Sequence, residues 1–456
     1  MKSVAIVLAA GVGERMKSKK HKVLHEILGV PLIDYLLKTA NDAGIGRTVV
    51  VVGNRAEQVC GHLGNRVGYA VQDPALGWGT AKAAQVGVGI AEDGPAFVLL
   101  GDSPLLRAET LIEMREAVQR GAAAAIMTSV VENPTGYGRI LRDEEGNVCG
   151  IVEEKDATPE QREFREINSA ALCVDGRLLR ECLPLVGNDN AKGEYYLTDL
   201  TGILYARGGK IVTVRTEESD GVGVNTRAQL AQATALMRER INRCHMDAGV
   251  TLIDPARTDI GPDVTIGEDT VIHPNCMLMG KTQIGEDCVL LPGCRFENAL
   301  LGDSVRVESS LLQDCTVGSG TTIGPFANLR PGSALGERCR IGDFVEIKNS
   351  NIGDLTRISH LTYVGDSDLG KDINLGCGVV FSNYDGKNKA RSTIADHAFI
   401  GGNVNLVSPV SIGESAYIAA GTTVTEDVPA NALAVGRAKP YIKEGWVEAR
   451  KKAGKL

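Results

Sequence analysis

The sequence predicts an α/β chain of two unlike parts: an open parallel sheet with helices on both faces, then a parallel β-helix. Three observations carry this. Over the first half, short continuous apolar runs alternate with amphipathic stretches. A stretch without glycine or proline, "RAQLAQATALMRERINRCHM", follows at 227–246. From about residue 250, an aliphatic residue followed by glycine recurs at intervals close to six.

The elements follow in order. "SVAIVLAAG" is an apolar run ending in glycine, as in a strand buried on both faces. "PLIDYLLKTANDAG" has helical spacing and stops at Asn-Asp-Ala-Gly, after which "RTVVVVG" reads as a second buried strand. "PAFVLLGD" is a third, ending in an acid. Strand, helix, strand implies a doubly wound sheet, whose ligands bind beyond the carboxyl ends of the strands. The glycine turn after the first strand and the acid after "FVLLG" both fall there.

The second part repeats at Ile260-Gly261, Ile266-Gly267, Ile284-Gly285, Leu301-Gly302 and onward to Ile412-Gly413. Three hexapeptides make one triangular coil with aliphatic residues inward, and stacked coils share one core. Between Gly376 and Gly401 the period breaks at "NYDGKNKARS", a polar, turn-rich stretch read as a loop thrown out from the coil. The expected boundaries are 1–226 for the first domain, 227–248 for a linker helix, 249–437 for the β-helix and 438–456 for a tail.

Composition excludes several classes. The formal charge is −8, and no basic stripe suits the chain to nucleic acid. The one basic cluster is the tail "VEARKKAGKL". The eleven cysteines include no C-x-x-C pair, which argues against a disulfide framework or zinc site and for a reducing, cytoplasmic location. The opening "VAIVLAA" is at the short limit for a signal-peptide core and reads as a buried strand. No segment is long enough to insert into a membrane.

The stretch "LAAGVGERMKSKKHKVLH" is neither a Walker loop nor a dinucleotide fingerprint, since Arg15 stands where the third glycine would be. It still suits phosphate. Gly11 and Gly13 let backbone amides approach an anion, and Arg15 and Lys22 add positive charge.

"LAAGVGERM" with "KVLH" resembles the signature of sugar-nucleotide pyrophosphorylases. "LLGDSPLL", "NPTGYGRI", "GIVEEKDAT", "EINSA", "GEYYLTD" and "GVNTRAQL" follow in order. With the hexapeptide half, the whole chain resembles the bifunctional N-acetylglucosamine-1-phosphate uridylyltransferase/glucosamine-1-phosphate N-acetyltransferase family. The resemblance implies a Rossmann-like nucleotidyltransferase domain, a linker helix and a left-handed β-helix acyltransferase domain. It implies that Leu8, Ala9, Ala10 and Gly11 lie against the nucleotide, that Arg15 and Lys22 meet its phosphates, and that Gln72 and Gly77 read the uracil. Leu100, Gly101 and Asp102 would border the site. Asp102 and Asn225 would hold Mg²⁺, and Gly138, Glu153 and Asn168 the sugar. The chain departs from the family where "ALGWGTA" replaces a usual "QLGTGHA": Ala75 stands for glutamine and Trp78 for threonine. Trp78 could stack on the base or move the loop.

In the second half, "GPFANLRPGS", "GDFVEIKNS", "SHLTYVGD", "NLGCG", "SNYDGKNK" and "LAVGR" carry the same resemblance. It implies that Arg330 and Lys348 bind the phosphate of glucosamine 1-phosphate, with Tyr363, Asn374 and Lys389 beside them. Acetyl-CoA would lie on Cys377, Asn383, Tyr384, Gly402, Ala420 and Arg437, of which Cys377 and Gly402 depart from a usual alanine and serine. His360 is the candidate general base, since an imidazole near neutral pKa suits deprotonation of an amine. Arg330 and Lys348 are one 18-residue coil apart, and the repeat sets His360 one coil from Lys348 and two from Arg330.

These readings predict a cytoplasmic enzyme that acetylates glucosamine 1-phosphate with acetyl-CoA. It then couples N-acetylglucosamine 1-phosphate to UTP, releasing pyrophosphate. The resemblance implies a homotrimer. The alternative is a one-activity pyrophosphorylase whose β-helix is structural or regulatory. A regulatory subunit with a degenerate transferase domain would be expected to lack Asp102, Lys22 or Arg15, and all three are present.

Overall fold

The computed structural model describes residues 3–73, 75, 77–436 and 438–455. The chain divides into two compact units, Met1–Arg240 and Ile241–Leu456. The helix Arg227–Asp247 runs from one into the other. In the first unit, its Arg240 bonds the Leu105 carbonyl and the buried Asp220 carboxylate. In the second, its Asn242 donates to the carbonyls of Pro255 and Thr258. Among the described residues, no helix is long and apolar enough to cross a membrane.

The first unit is built on a mixed sheet. In spatial order its main strands are Ile211–Arg215, Ala124–Val130, Glu166–Asp175, Pro95–Leu100, Val4–Ala9, Arg47–Val52 and Gly68–Val71. Val4–Ala9 alternates between two cores. Ala5, Val7 and Ala9 enter one hydrophobic cluster, and Val4 and Ile6 the other. That two-sided burial is why the strand reads as an unbroken apolar run. It pairs in parallel with Pro95–Leu100, Leu8 opposite Leu100, so both strands end at the same edge. The all-parallel expectation fails at Glu166–Asp175, which runs antiparallel to both its neighbours. It also meets the hairpin Arg139–Arg142/Val148–Val152 at Ile167–Arg139. Its apolar run has no direction of its own, so the sequence leaves orientation open.

The second unit is a left-handed parallel β-helix whose described residues form three sheets of eleven, ten and nine strands. Along one face, Ile272, Leu290, Val307, Ile323, Ile341, Ile358 and Leu375 stack coil on coil, each buried. Burying each such side chain contributes roughly 1.5–3 kcal/mol. The glycine after the aliphatic residue has its own cause. A Cβ on Gly318 would lie 2.5 Å from the backbone of Gly336, and one on Gly353 2.5 Å from that of Gly370. Backbone rests on backbone there, with no room for a side chain. The period breaks where Ser367 pairs with Ser392 rather than with a residue one ordinary coil away. The extra residues form a small hairpin, with Tyr384 bridged to Lys389 and the Ala390 amide bonded to the Asn383 carbonyl.

Candidate functional sites

In the first unit, the ends of the two central strands open into a cavity of about 360 Å³. Leu8, Ala9, Ala10, Gly11, Lys22, Gln72, Trp78, Leu100, Asp102 and Asn225 line it. No atom lies within 4 Å of where a Cβ on Gly11 would stand, so bare backbone faces the open space there. Gly101 donates its amide to the Leu8 carbonyl at 2.9 Å, locking the two strand ends together. Gly77 packs on the Tyr195 ring. Arg15 is exposed on the turn Glu14–Met16 and is not among the lining residues.

Three side chains from distant segments meet in this cavity. Lys22 Nζ lies 2.5 Å from Asp102 Oδ2 and 3.0 Å from Asn225 Oδ1. The Val224 amide donates to the Asp102 carbonyl at 2.9 Å, which holds the two oxygen-bearing segments side by side. The ammonium thus stands where a cation would sit between two oxygens. One carboxylate and one amide oxygen form a hard donor pair that suits Mg²⁺, which takes its remaining ligands from phosphate and water.

A second cavity of about 130 Å³ adjoins this edge, lined by Glu153, Asn168, Leu100 and Thr198 with apolar Val98, Ile151, Ala171 and Leu172. Gly138 belongs to it by contact. Its carbonyl accepts from the Asn168 amide at 2.8 Å, and a Cβ there would lie 3.5 Å from Glu153 Oε1. Thr198 Oγ1 donates to Glu153 Oε1 at 2.9 Å. Burial, then the nearby Glu153 and Asp156, raises the Asp199 carboxyl above its usual range. Behind the hairpin, the fully buried Arg139 pairs with Glu154 at 2.7 Å and fixes the backbone on either side of Gly138 and Glu153.

His21, Thr80, Glu194 and Thr198 were not legible as site residues. His21 is 2% exposed, and its Nδ1 accepts from the Val23 amide at 3.4 Å. Burial, then Lys22 and Arg55, lowers its pKa to about 4. The unfolded chain therefore binds a proton here below about pH 6.5 that the folded chain refuses until about pH 4. Stability falls on acidification through that window. Between pH 7 and pH 5 this histidine accounts for about 2 kcal/mol of the loss. Denaturant unfolding of His21→Leu at both pH values is expected to show a correspondingly smaller loss; an unchanged difference would refute the assignment.

In the second unit, Arg330 is held by Glu346 at 2.8 Å, and the register Leu329–Ile347 carries on to set Arg330 beside Lys348. Contact with the Lys348 amine, then its charge, lowers the pKa of Lys389. Two amines held together in this way suit an anion. Asn383 lies 3.4 Å from the Tyr363 hydroxyl and donates to the buried Asp366 at 2.6 Å. Tyr384 is exposed on the hairpin. Asn374 pairs with Arg357 on a different sheet from Lys348.

His360 is not one coil from Lys348 and two from Arg330. Lys348 faces Gly365, and His360 faces Asp343 on the neighbouring sheet. Both offsets are 17 residues, and the two sheets meet at a corner between His360 and Tyr363. His360 instead begins a different column. The Gly378 amide reaches its carbonyl at 3.4 Å, the Asn403 amide reaches that of Cys377, and the Gly421 amide that of Gly402. Cys377, Gly402 and Ala420 thus follow His360 along one edge. Arg437 lies outside the described residues.

Residues 5–165 match the MobA-like NTP transferase domain, and residues 256–352 match the GMPPB C-terminal domain. A nucleotidyltransferase sheet joined to a β-helix is the class these define. The chain is 48% identical to the bifunctional protein GlmU of Acetivibrio thermocellus over 97% of both chains. It is 46% identical to that of Thermoanaerobacter pseudethanolicus over 99% of both. Against that of Clostridioides difficile it is 45% identical, over 98% of this chain and 97% of the other. The chain belongs to the bifunctional GlmU family.

Proposed function

We infer that the chain makes UDP-N-acetylglucosamine, a cell-wall precursor, by two reactions at two separate sites. The observation that carries this is the convergence of Lys22, Asp102 and Asn225 in one cavity, with a second, unrelated constellation around His360.

In the β-helix, Arg330, Lys348 and Lys389 hold the phosphate of glucosamine 1-phosphate. His360 takes the proton from its amine, and the nitrogen attacks the thioester carbonyl of acetyl-CoA. The C–S bond breaks and the coenzyme leaves as a thiolate. Cys377, Asn383, Tyr384, Gly402 and Ala420 line the coenzyme's path. Assembly as a homotrimer accounts for apolar side chains left exposed outside the helix. Phe326 stacks on Phe344 at 5.4 Å and Phe399 on Tyr417 at 4.5 Å, all on the surface.

In the first unit, N-acetylglucosamine 1-phosphate lies on Gly138, Glu153 and Asn168, and the apolar wall of the smaller cavity receives the acetyl methyl. UTP lies over Leu8–Gly11, with Gln72 and Gly77 at the base and Trp78 against it. Asp102 and Asn225 would hold Mg²⁺, which supplies positive charge against the triphosphate. Lys22 and Arg15 add theirs to the phosphates, so that a sugar-phosphate oxygen attacks the α-phosphorus in line and pyrophosphate leaves.

The full-length chain, given glucosamine 1-phosphate, acetyl-CoA and UTP, is expected to form UDP-N-acetylglucosamine, and to form none without acetyl-CoA. Replacing UTP by dTTP, ATP or GTP is expected to slow nucleotide transfer roughly 10-fold or more. Equal rates with all four would overturn uridine as the base.

A further inference from the structure

The acetyl-transfer reading assigns a base but nothing that orients it. An imidazole can act as base only through a ring nitrogen whose lone pair is free and aimed at the substrate. His360 ends the strand Arg357–His360 with its side chain outward, and nothing in the packed core fixes its tautomer.

The register supplies a partner. Asp343 ends the strand Arg340–Asp343, one coil below, and is the direct neighbour of His360. Asp343 Oδ1 lies 2.6 Å from His360 Nδ1. The Leu361 amide bonds the Asp343 carbonyl at 3.0 Å, so backbone fixes the approach of the two residues. The hydrogen bond from His360 holds the Asp343 carboxyl below its usual range, so it is ionised wherever the enzyme works.

The other charged groups around the pair do not compete. Arg357, on the same strand, faces Asp372 at 3.6 Å. Arg340 sits at the exposed start of its strand. The strand Asn374–Leu375 on the next coil carries no titratable side chain, and the corner beyond it carries Cys377.

Resting on the acetyl-transfer reading, we propose that Asp343 is the positioning residue of the acetyltransferase site: it accepts the Nδ1 proton of His360 and presents the Nε2 lone pair to the substrate amine. When Nε2 takes the amine proton, both ring nitrogens carry hydrogen and the ring is a cation. Asp343 stabilises that cation without taking a proton itself. The proton stays on Nε2 until the departing thiolate or water removes it.

The test uses the full-length protein. Asp343→Ala is expected to lower kcat for acetyl transfer about 10- to 100-fold, the scale seen when a group orienting a reactive imidazole is removed. KM for both substrates is expected to stay within about twofold, because Asp343 is proposed to act through His360. Asp343→Asn retains an oxygen that can accept from Nδ1 but loses the charge. Its kcat is expected to fall between those of Asp343→Ala and the unsubstituted chain. Uridylyl transfer and the melting temperature report intact folding and stay at wild-type values. Wild-type kcat in both variants, alongside an inactive His360→Ala, would overturn the positioning role and leave the base in place. A change confined to KM would overturn it too. Full acetyl transfer by His360→Ala would instead remove the reading on which the role rests.

Discussion

His360→Ala is expected to reduce acetyl transfer by roughly 10²- to 10⁴-fold, the range that a positioned general base contributes, and to leave uridylyl transfer unchanged. The amine of glucosamine 1-phosphate must shed a proton as it attacks, and at neutral pH no other side chain in this column does that work. The substitution is structurally mild. The strand is held by its buried neighbour Ile358, while the His360 side chain is 54% exposed. Release of free coenzyme thiol measures one activity and release of pyrophosphate the other. Equal loss of both would mean that the two reactions share a site, and the two-site reading would be abandoned.

The second large effect is expected at Asp102. Asp102→Ala is expected to lower uridylyl transfer on the order of 10³-fold, as removal of a group that organises charge around a transferring phosphoryl centre does. Two consequences combine. One of the two oxygens proposed for Mg²⁺ is lost, and Lys22 loses its 2.5 Å partner in a mostly buried place. An uncompensated buried charge costs about 3–5 kcal/mol, so a lowered melting temperature belongs to the expected result. Acetyl transfer by the same preparation is the internal control and stays unchanged. Asp102→Asn, which keeps the shape and a polar oxygen, is expected to recover stability before activity. Undiminished uridylyl transfer in either variant would remove Asp102 from the metal site.

The parts legible in the sequence were those that repetition or local order makes visible. The column Ile272 to Leu375 could be read because each coil restates it, and the glycine after each aliphatic residue because backbone contact leaves no alternative. Lys22, Asp102 and Asn225 could be assigned through motifs, but their meeting at one point is a product of the fold. Other features carried no local mark. Glu166–Asp175 has the same apolar pattern whichever way it runs. Arg139 looks like any surface arginine until its burial against Glu154 is seen. His21 differs from its neighbour His25 only by depth and by the cations around it. His360 was misplaced because it follows Lys348 by only 12 residues, about two-thirds of a coil, which puts it on a different sheet from Lys348. The same miscount hid Asp343, one acid among many until the register made it a neighbour.

The stacked coils also determine where damage spreads. In such a solenoid each layer leans only on the layer beneath and the layer above, so loosening starts at an open end and travels inward one layer at a time. The layers holding His360, Tyr363 and Asn383 are covered on the distal side by the strands Phe399–Ile400, Tyr417–Ile418 and Leu433–Ala434. The outermost of these begins at an exposed Leu433. Those distal layers also carry Gly402 and Ala420 of the proposed coenzyme path, so loosening there would reach coenzyme binding before it reached the layer of His360.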